Sequence, residues 1–159
     1  MAEKFRKPYI ESSVFISLIN DEISGDVERG KIAACLLNQA EAGNFPVYTS
    51  TMTIVEVHKK RGEGYTTLDS QRSELILQFF EHDYIKIIDV DRRISEEAHR
   101  YCQKYGLMPV DAVHLASAIR GGCDIFLTWD KSLLAKASQI EDVPIIIAEP
   151  TEDDGVEKL

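Results

Sequence analysis

Residues 108–130 read MPVDAVHLASAIRGGCDIFLTWD, and the two halves of this stretch ask for different backbones. Pro109 can open a helix, because the N–H it lacks is one that a first helical turn leaves unpaired anyway. From Val110 to Ile119 the residues are apolar apart from Asp111, His114 and Ser117, and Gly121-Gly122 stop the run. Ile125-Phe126-Leu127, followed by Thr128, is short and continuously apolar, as in strands of a parallel sheet covered on both faces. Asp111 falls in the first helical turn, where a negative charge faces the positive end of the helix dipole. The helix it heads is apolar enough to be buried, and a buried carboxylate needs a partner.

The remaining chain repeats the alternation. Tyr9-Ile10 reads as a short strand, with Ser12-Ser13 as caps for a helix from Val14. A polar loop over Asn20–Gly30 precedes a helix over Lys31–Ala42, ended by Gly43-Asn44. Phe45–Thr49 is a strand. Ser50 or Thr51 caps a helix that carries Ile54, Val55 and Glu56 and runs on to Lys59-Lys60-Arg61. Gly62–Thr67 is a flexible connection, and Asp69 or Ser70 starts a helix through Phe80. A strand over Tyr84–Ile88 leads into a helix over Arg92–Lys104, stopped by Gly106. Beyond Asp130 come a helix over Lys131–Ser138 and a strand over Val143–Ile147. The pattern predicts a three-layer α/β/α fold with a mostly parallel central sheet, one domain over residues 1–149, and an acidic, disordered tail over 150–159.

At 159 residues and 44% apolar, the chain is long enough for one well-packed domain and short for two. It contains no run of eighteen apolar residues, and Val14–Ile19 is too short for the core of a secretory signal. Three widely spaced cysteines, Cys35, Cys102 and Cys123, fit a reduced, cytoplasmic setting and offer no zinc spacing. The formal net charge of −9 argues against holding nucleic acid by bulk electrostatics. From Glu141 on, however, seven acids face only Lys158, which leaves the body near −3. Basic clusters remain at Lys4/Arg6/Lys7, Lys59-Lys60-Arg61 and Arg92-Arg93, so any nucleic-acid contact is expected to be patch-like.

Four isolated acids end or interrupt apolar segments: Glu11, Glu56, Asp111 and Asp130. In open α/β sheets, ligands bind at the carboxyl ends of the strands, and Glu11 and Asp130 fall at such ends. Two carboxylates about 4 Å apart repel by roughly 4 kcal/mol at an effective dielectric near 20, so a cluster takes up protons or binds a cation. Oxygen donors suit Mg²⁺ or Mn²⁺, and the chemistry that follows is phosphodiester hydrolysis.

In these segments the chain resembles the PIN-domain family, metal-dependent ribonucleases that include the VapC-like toxins of toxin–antitoxin pairs. Tyr9-Ile10-Glu11-Ser12-Ser13-Val14 is similar to the family's opening strand and acid. Thr53-Ile54-Val55-Glu56-Val57 is similar to its glutamate helix, Pro109–Ala116 to its central aspartate helix, and Gly122–Asp130 to its last acidic strand. The resemblance spans Tyr9 to about Ile147. It implies that Glu11, Glu56, Asp111 and Asp130 hold Mg²⁺ or Mn²⁺, with Ser12 and Thr128 supporting the carboxylates or a water from behind. It also implies an RNA substrate, a homodimer and a small antitoxin partner, with the apolar stripes of Lys31–Ala42 and Ser70–His82 available for those contacts. The family's first acid is usually aspartate. Here it is Glu11, whose extra methylene moves the carboxylate by about one bond length and favours a shifted metal position or Mn²⁺.

Each acid also has a purely structural use. Asp111 can serve the helix dipole, Asp130 can cap the next helix, and Glu56 and Glu11 can face solvent. It is the four in order that favour a site. His114 is read as a hydrogen-bonded, semi-buried side chain in preference to a ligand, and Trp129 as packing near the site mouth. The alternative function is a catalytically weakened PIN-like module that binds RNA or protein. A receiver-like phosphoacceptor domain would need an acidic pair after the first strand, which Glu11-Ser12-Ser13 does not supply.

Overall fold

The computed structural model of the chain describes residues 7–60, 66–67 and 69–151. Five strands form one parallel sheet: β1 (Pro8–Ile10), β4 (Val47–Ser50), β7 (Ile85–Ile88), β8 (Ile125–Leu127) and β9 (Ile146–Ala148). Their spatial order is β7-β4-β1-β8-β9, so β1 is central and the chain leaves it in both directions. The helices are α1 (Ser12–Asn20), α2 (Arg29–Glu41), α3 (Thr51–Glu56), α4 (Ser70–Phe79), α5 (Arg92–Tyr105), α6 (Pro109–Arg120) and α7 (Lys131–Lys136). Two small antiparallel ribbons complete the description: β2 (Ile23–Ser24) with β3 (Val27–Glu28), and β5 (Lys59–Lys60) with β6 (Thr66–Thr67).

Why the strands read as continuously apolar is now visible. Successive side chains alternate between faces. Ile10, Val47, Ile125 and Leu127 pack with α1 and α2 around Val14, Phe15, Ile32 and Leu36. Tyr9 and Phe126 pack on the opposite face with α5 and α6, among Ile94, Tyr101, Ala112 and Leu115. Three layers result, as the sequence predicts.

Several boundaries differ from the sequence expectation, among them the strands β4 and β9, which begin at Val47 and Ile146, after the expected Phe45 and Val143. Helix α1 begins at Ser12, two residues early, because the Glu11 carboxylate caps it by accepting from the Ser13 backbone N–H at 3.1 Å. Glutamate is not a favoured cap, so a propensity reading passes it by. Helix α3 ends at Glu56 and does not reach Arg61. Thr51, Thr53, Ile54, Val55 and Val57 are β-branched and poor helix formers, and Lys59–Lys60 instead pairs with Thr66–Thr67. Within the expected loop over Asn20–Gly30, β2 and β3 pair across Gly25-Asp26, and α2 starts at Arg29. The last helix breaks into a 3₁₀ turn after Lys136. Asp69, one of the two starts the sequence offers for α4, caps it, and the left-handed Gly106 (φ 64°) ends α5 where the sequence places its stop; Asp91 caps the start of α5.

The apolar stripe of α2 is spent on the core, since Ile32, Ala33, Leu36, Leu37 and Ala40 are all buried. Helix α4 buries none of its residues and leaves Leu75 and Leu77 exposed beside a groove of about 280 Å³ lined by α1 and α4. Gly62–Tyr65, Arg61, Lys4, Arg6 and the acidic stretch from Glu152 lie outside the described residues.

Candidate metal centre

Parallel pairing of β1 with β8, Ile10 opposite Leu127, sets the carboxyl ends of these two strands side by side. The Glu11 backbone N–H continues that ladder to the Leu127 carbonyl at 3.0 Å. Glu11 is only 5% exposed, and both of its oxygens are occupied. Oε1 accepts from Ser12 Oγ at 2.5 Å, while Oε2 accepts from the Ser13 backbone N–H and from Thr128 Oγ1 at 2.8 Å. Thr128, fully buried, also accepts the Asp130 backbone N–H at 2.9 Å and so joins the ends of β1 and β8.

Glu56 is the last residue of α3, which the β4 strand end delivers to the same place. Its Oε1 lies 3.0 Å from Ser12 Oγ. That hydroxyl has one hydrogen and stands between two carboxylates, Glu11 and Glu56. His114 Nε2 is hydrogen-bonded to the same Glu56 oxygen and lies 3.9 Å from Glu11 Oε1. His114 is completely buried, more deeply than expected, and its Nδ1 meets the Tyr9 hydroxyl at 2.7 Å.

Asp130 caps α7. Its Oδ1 accepts from the Ser132 backbone N–H at 2.8 Å, Ser132 Oγ at 2.7 Å and the Leu133 N–H at 3.1 Å. Burial pushes this carboxyl up, but the bonds from Ser132 and Leu133 outweigh it and hold Asp130 below the usual range. Asp111, in the first turn of α6, has the opposite balance. Burial raises it first, the charges of Asp130 and Glu11 raise it further, and its carboxyl stands at about 6.

Glu11, Glu56 and His114 each offer one ligand atom, all within 4.8 Å of one another. Asp111 and Asp130 stand outside this tight group, yet Asp111 feels the charges of Asp130, Glu11 and Glu56. The four expected acids therefore share one field, with two of them in the tight group. The donor set fits a divalent cation: oxygens predominate, and the Asp111 carboxyl is held up by its crowded neighbours. Trp129, next to Asp130, is buried. Its backbone N–H donates to Ser13 Oγ at 2.9 Å, its indole N–H to Ser17 Oγ at 3.3 Å, and Arg29 lies over its ring at 4.9 Å.

The family model for the PIN domain matches residues 9–139. The chain belongs to the PIN domain family. No curated protein matches it by sequence. Solved structures with this PIN fold include a toxin–antitoxin complex from Klebsiella pneumoniae, 17% identical with a TM-score of 0.60, the match covering 92% of this chain and 99% of that one. VapC20 of Mycobacterium tuberculosis, a sarcin-ricin-loop-cleaving toxin, is 16% identical with a TM-score of 0.59, over 81% of this chain and 94% of that one. DNA-bound VapBC from Salmonella typhimurium is 14% identical with a TM-score of 0.57, over 91% and 98%. In this PIN domain the sequence did not reveal the bond between His114 and Glu56. The one local signal was the position of His114 three residues after Asp111, on a neighbouring helical face.

Proposed function

We propose that the protein is a metal-dependent, toxin-like endoribonuclease that hydrolyses RNA phosphodiesters with Mg²⁺ or Mn²⁺ at Glu11, Glu56, Asp111 and Asp130. The observation that carries this reading is geometric: Glu11, Glu56 and His114 bring ligand atoms within 4.8 Å of one another, beside an Asp111 carboxyl raised by burial and by the charges of Asp130, Glu11 and Glu56. Four acids gathered at the carboxyl edge of a parallel sheet are stable together at neutral pH when a cation balances them. A bound divalent ion would supply the positive charge that acidifies a water and neutralises the phosphodiester.

The protein's own groups have separable tasks. Ser12, Ser13 and Thr128 fix the Glu11 carboxylate, and the α7 cap fixes Asp130. Glu56 and Asp111 are the groups placed to orient the attacking water or take its proton. An antitoxin partner is supported by the complexes among the similar structures, and the open apolar groove between α1 and α4 is a surface where a partner's apolar residues would fit. A homodimer and a cytoplasmic setting belong to the same reading. No helix among the described residues is long and apolar enough to cross a membrane.

The test compares RNA cleavage by wild type and Asp111→Asn from matched preparations, with Mn²⁺ or Mg²⁺ and with chelator. Metal-dependent cleavage that falls at least a hundredfold in the variant supports the nuclease. Equal activity in both, or none in either, transfers the proposal to a PIN module that binds RNA or protein without cutting.

A further inference from the structure

Six arginines lie among the described residues, and four of them are engaged. Arg29 lies over the Trp129 ring, and Arg72 donates to the Ile19 carbonyl at 2.8 Å. Arg92 and Arg100 pair with Glu96 and Glu97 at 2.9 and 2.8 Å. The other two, Arg93 and Arg120, are exposed and have no partner among the described residues. Both line one groove of about 520 Å³ between α5 and α6. The groove's carboxylates, Glu96 and Glu97, are the two that Arg92 and Arg100 balance. Nearby Asp91 is turned to the α5 cap, where it accepts from the Ile94 N–H at 2.9 Å. Arg93 and Arg120 are thus uncompensated positive charge on a chain whose net charge is −9.

The groove opens on the same edge of the sheet as the metal centre. Ile88 ends β7 opposite Ser50 of β4, and α5 follows at Arg92. Glu11 follows β1, two strands further in, or about 10 Å at the usual strand spacing. The Val90 N–H donates to Thr51 Oγ1 at 3.2 Å, which ties the entry of α5 to α3, the helix that ends in Glu56. Helix α6 joins the two places from the other side. Asp111 stands in its first turn, and Arg120 ends it nine residues later, about 13 Å along the axis. Beyond Arg120, a Cβ on Gly121 would lie 2.5 Å from Ile88 Cδ1. The glycine therefore lets the end of α6 seat on the end of β7, with Arg120 and Arg93 on one groove.

We propose that the α5–α6 groove is a phosphate track for the RNA substrate, in which Arg93 and Arg120 hold the strand a few nucleotides from the bond that is cut. A guanidinium's planar fork takes two phosphate oxygens at once, and two forks from different helices fix the direction of the chain. At about 3.4 Å of rise per stacked nucleotide, the length of α6 between Asp111 and Arg120 corresponds to about four nucleotides. An acidic protein thereby gains a local hold on a polyanion. The identity of the substrate rests on the proposed nuclease function; the charge of the groove does not.

Binding is measured first, with chelator present so that nothing is cut, by anisotropy of labelled twelve-nucleotide oligo(U) and oligo(A) over a salt series. Each phosphate contact to a single strand adds about 0.7 to the slope of log K against log salt. Arg93→Gln/Arg120→Gln is expected to bind more weakly at low salt and to lower that slope by about 1.4. The loss should be equal for the two sequences, because phosphates carry no base identity. Lys31→Gln, which removes one charge from α2 on the opposite face of the sheet, should keep the wild-type slope. An unchanged slope in the double variant, an equal loss in Lys31→Gln, or no binding by wild type overturns the track. A changed sedimentation mass in the double variant also overturns it, by making the groove an interface between copies of this chain. Cleavage of the same oligonucleotides with Mn²⁺ tests the nuclease separately. Wild type that cuts, with the slope unaltered in the double variant, keeps the nuclease and removes the groove. Wild type that does not cut, with the slope lost as expected, keeps the groove and removes the nuclease.

Discussion

Asp111 differs from its neighbours in what surrounds its oxygens. Glu11 and Asp130 each accept three hydrogen bonds, and Asp111 accepts none from the described residues. Hydrogen bonds to a carboxylate favour its charged form, and burial among other acids favours the protonated one. The raised Asp111 therefore lends the metal-free fold its full stability below about pH 4 and withdraws it as pH climbs through 6. A two-unit shift corresponds to roughly 3 kcal/mol, and partial exposure screens it to about 1–2 kcal/mol. Urea unfolding of metal-free wild type and Asp111→Asn should show the variant gaining about that much over wild type between pH 4 and 7.5. A gap that does not vary with pH would show that Asp111 titrates normally. Asp111 itself was legible as an oddity, a charge heading an apolar helix. The Tyr9–His114 pair was not, since its members are 105 residues apart and meet only because α6 packs on the sheet.

The elements carry the site through their ends. Glu11 and Asp130 are at once strand termini, helix caps and members of the acidic field, so local and chemical roles can be separated by substitution. Asp130→Asn keeps a good cap while removing the charge; Asp130→Ala removes both. At pH 5 the alanine variant should lose about 1 kcal/mol more stability than the asparagine variant. Both should lower the Asp111 carboxyl below 6 in a ¹³C carboxyl titration, because Asp130 is the foremost charge raising it. An Asp111 unmoved in both would separate the two acids. Strand–helix alternation, the start of α4 at Asp69 or Ser70 and the Gly106 stop were readable because each depends on residues within one turn. The early start of α1, the short α3 and both ribbons were not. They depend on an unusual cap or on pairing between segments, which periodicity does not encode.

Across the whole molecule, charge and apolar surface are unevenly shared. The net charge of −9 opposes RNA, and the residues after Pro150 carry four acids against one lysine. A chain ending at Pro150 should bind RNA more tightly than the full chain at low salt, and the two should converge as salt screens the difference. Equal affinity at every salt concentration would show that these acids do not reach the substrate's field. The apolar stripe of α2 was read as partner surface but closes the core, whereas that of α4 is divided, with Ile76 and Phe79 packed on the core and Leu75 and Leu77 exposed. Periodicity marks a helix as two-faced and leaves open which neighbour covers the greasy side.

The chain has a single tryptophan, and it is the buried neighbour of Asp130, roofed by Arg29 and pinned to α1 through Ser13 and Ser17. The protein thus carries its own fluorophore at the edge of the acidic field. Any event that moves the end of β8 against α1 changes the cation above the indole or the hydroxyl at its nitrogen. Emission from Trp129 therefore reports such a movement in the unlabelled native chain, in real time and against a background free of other indoles.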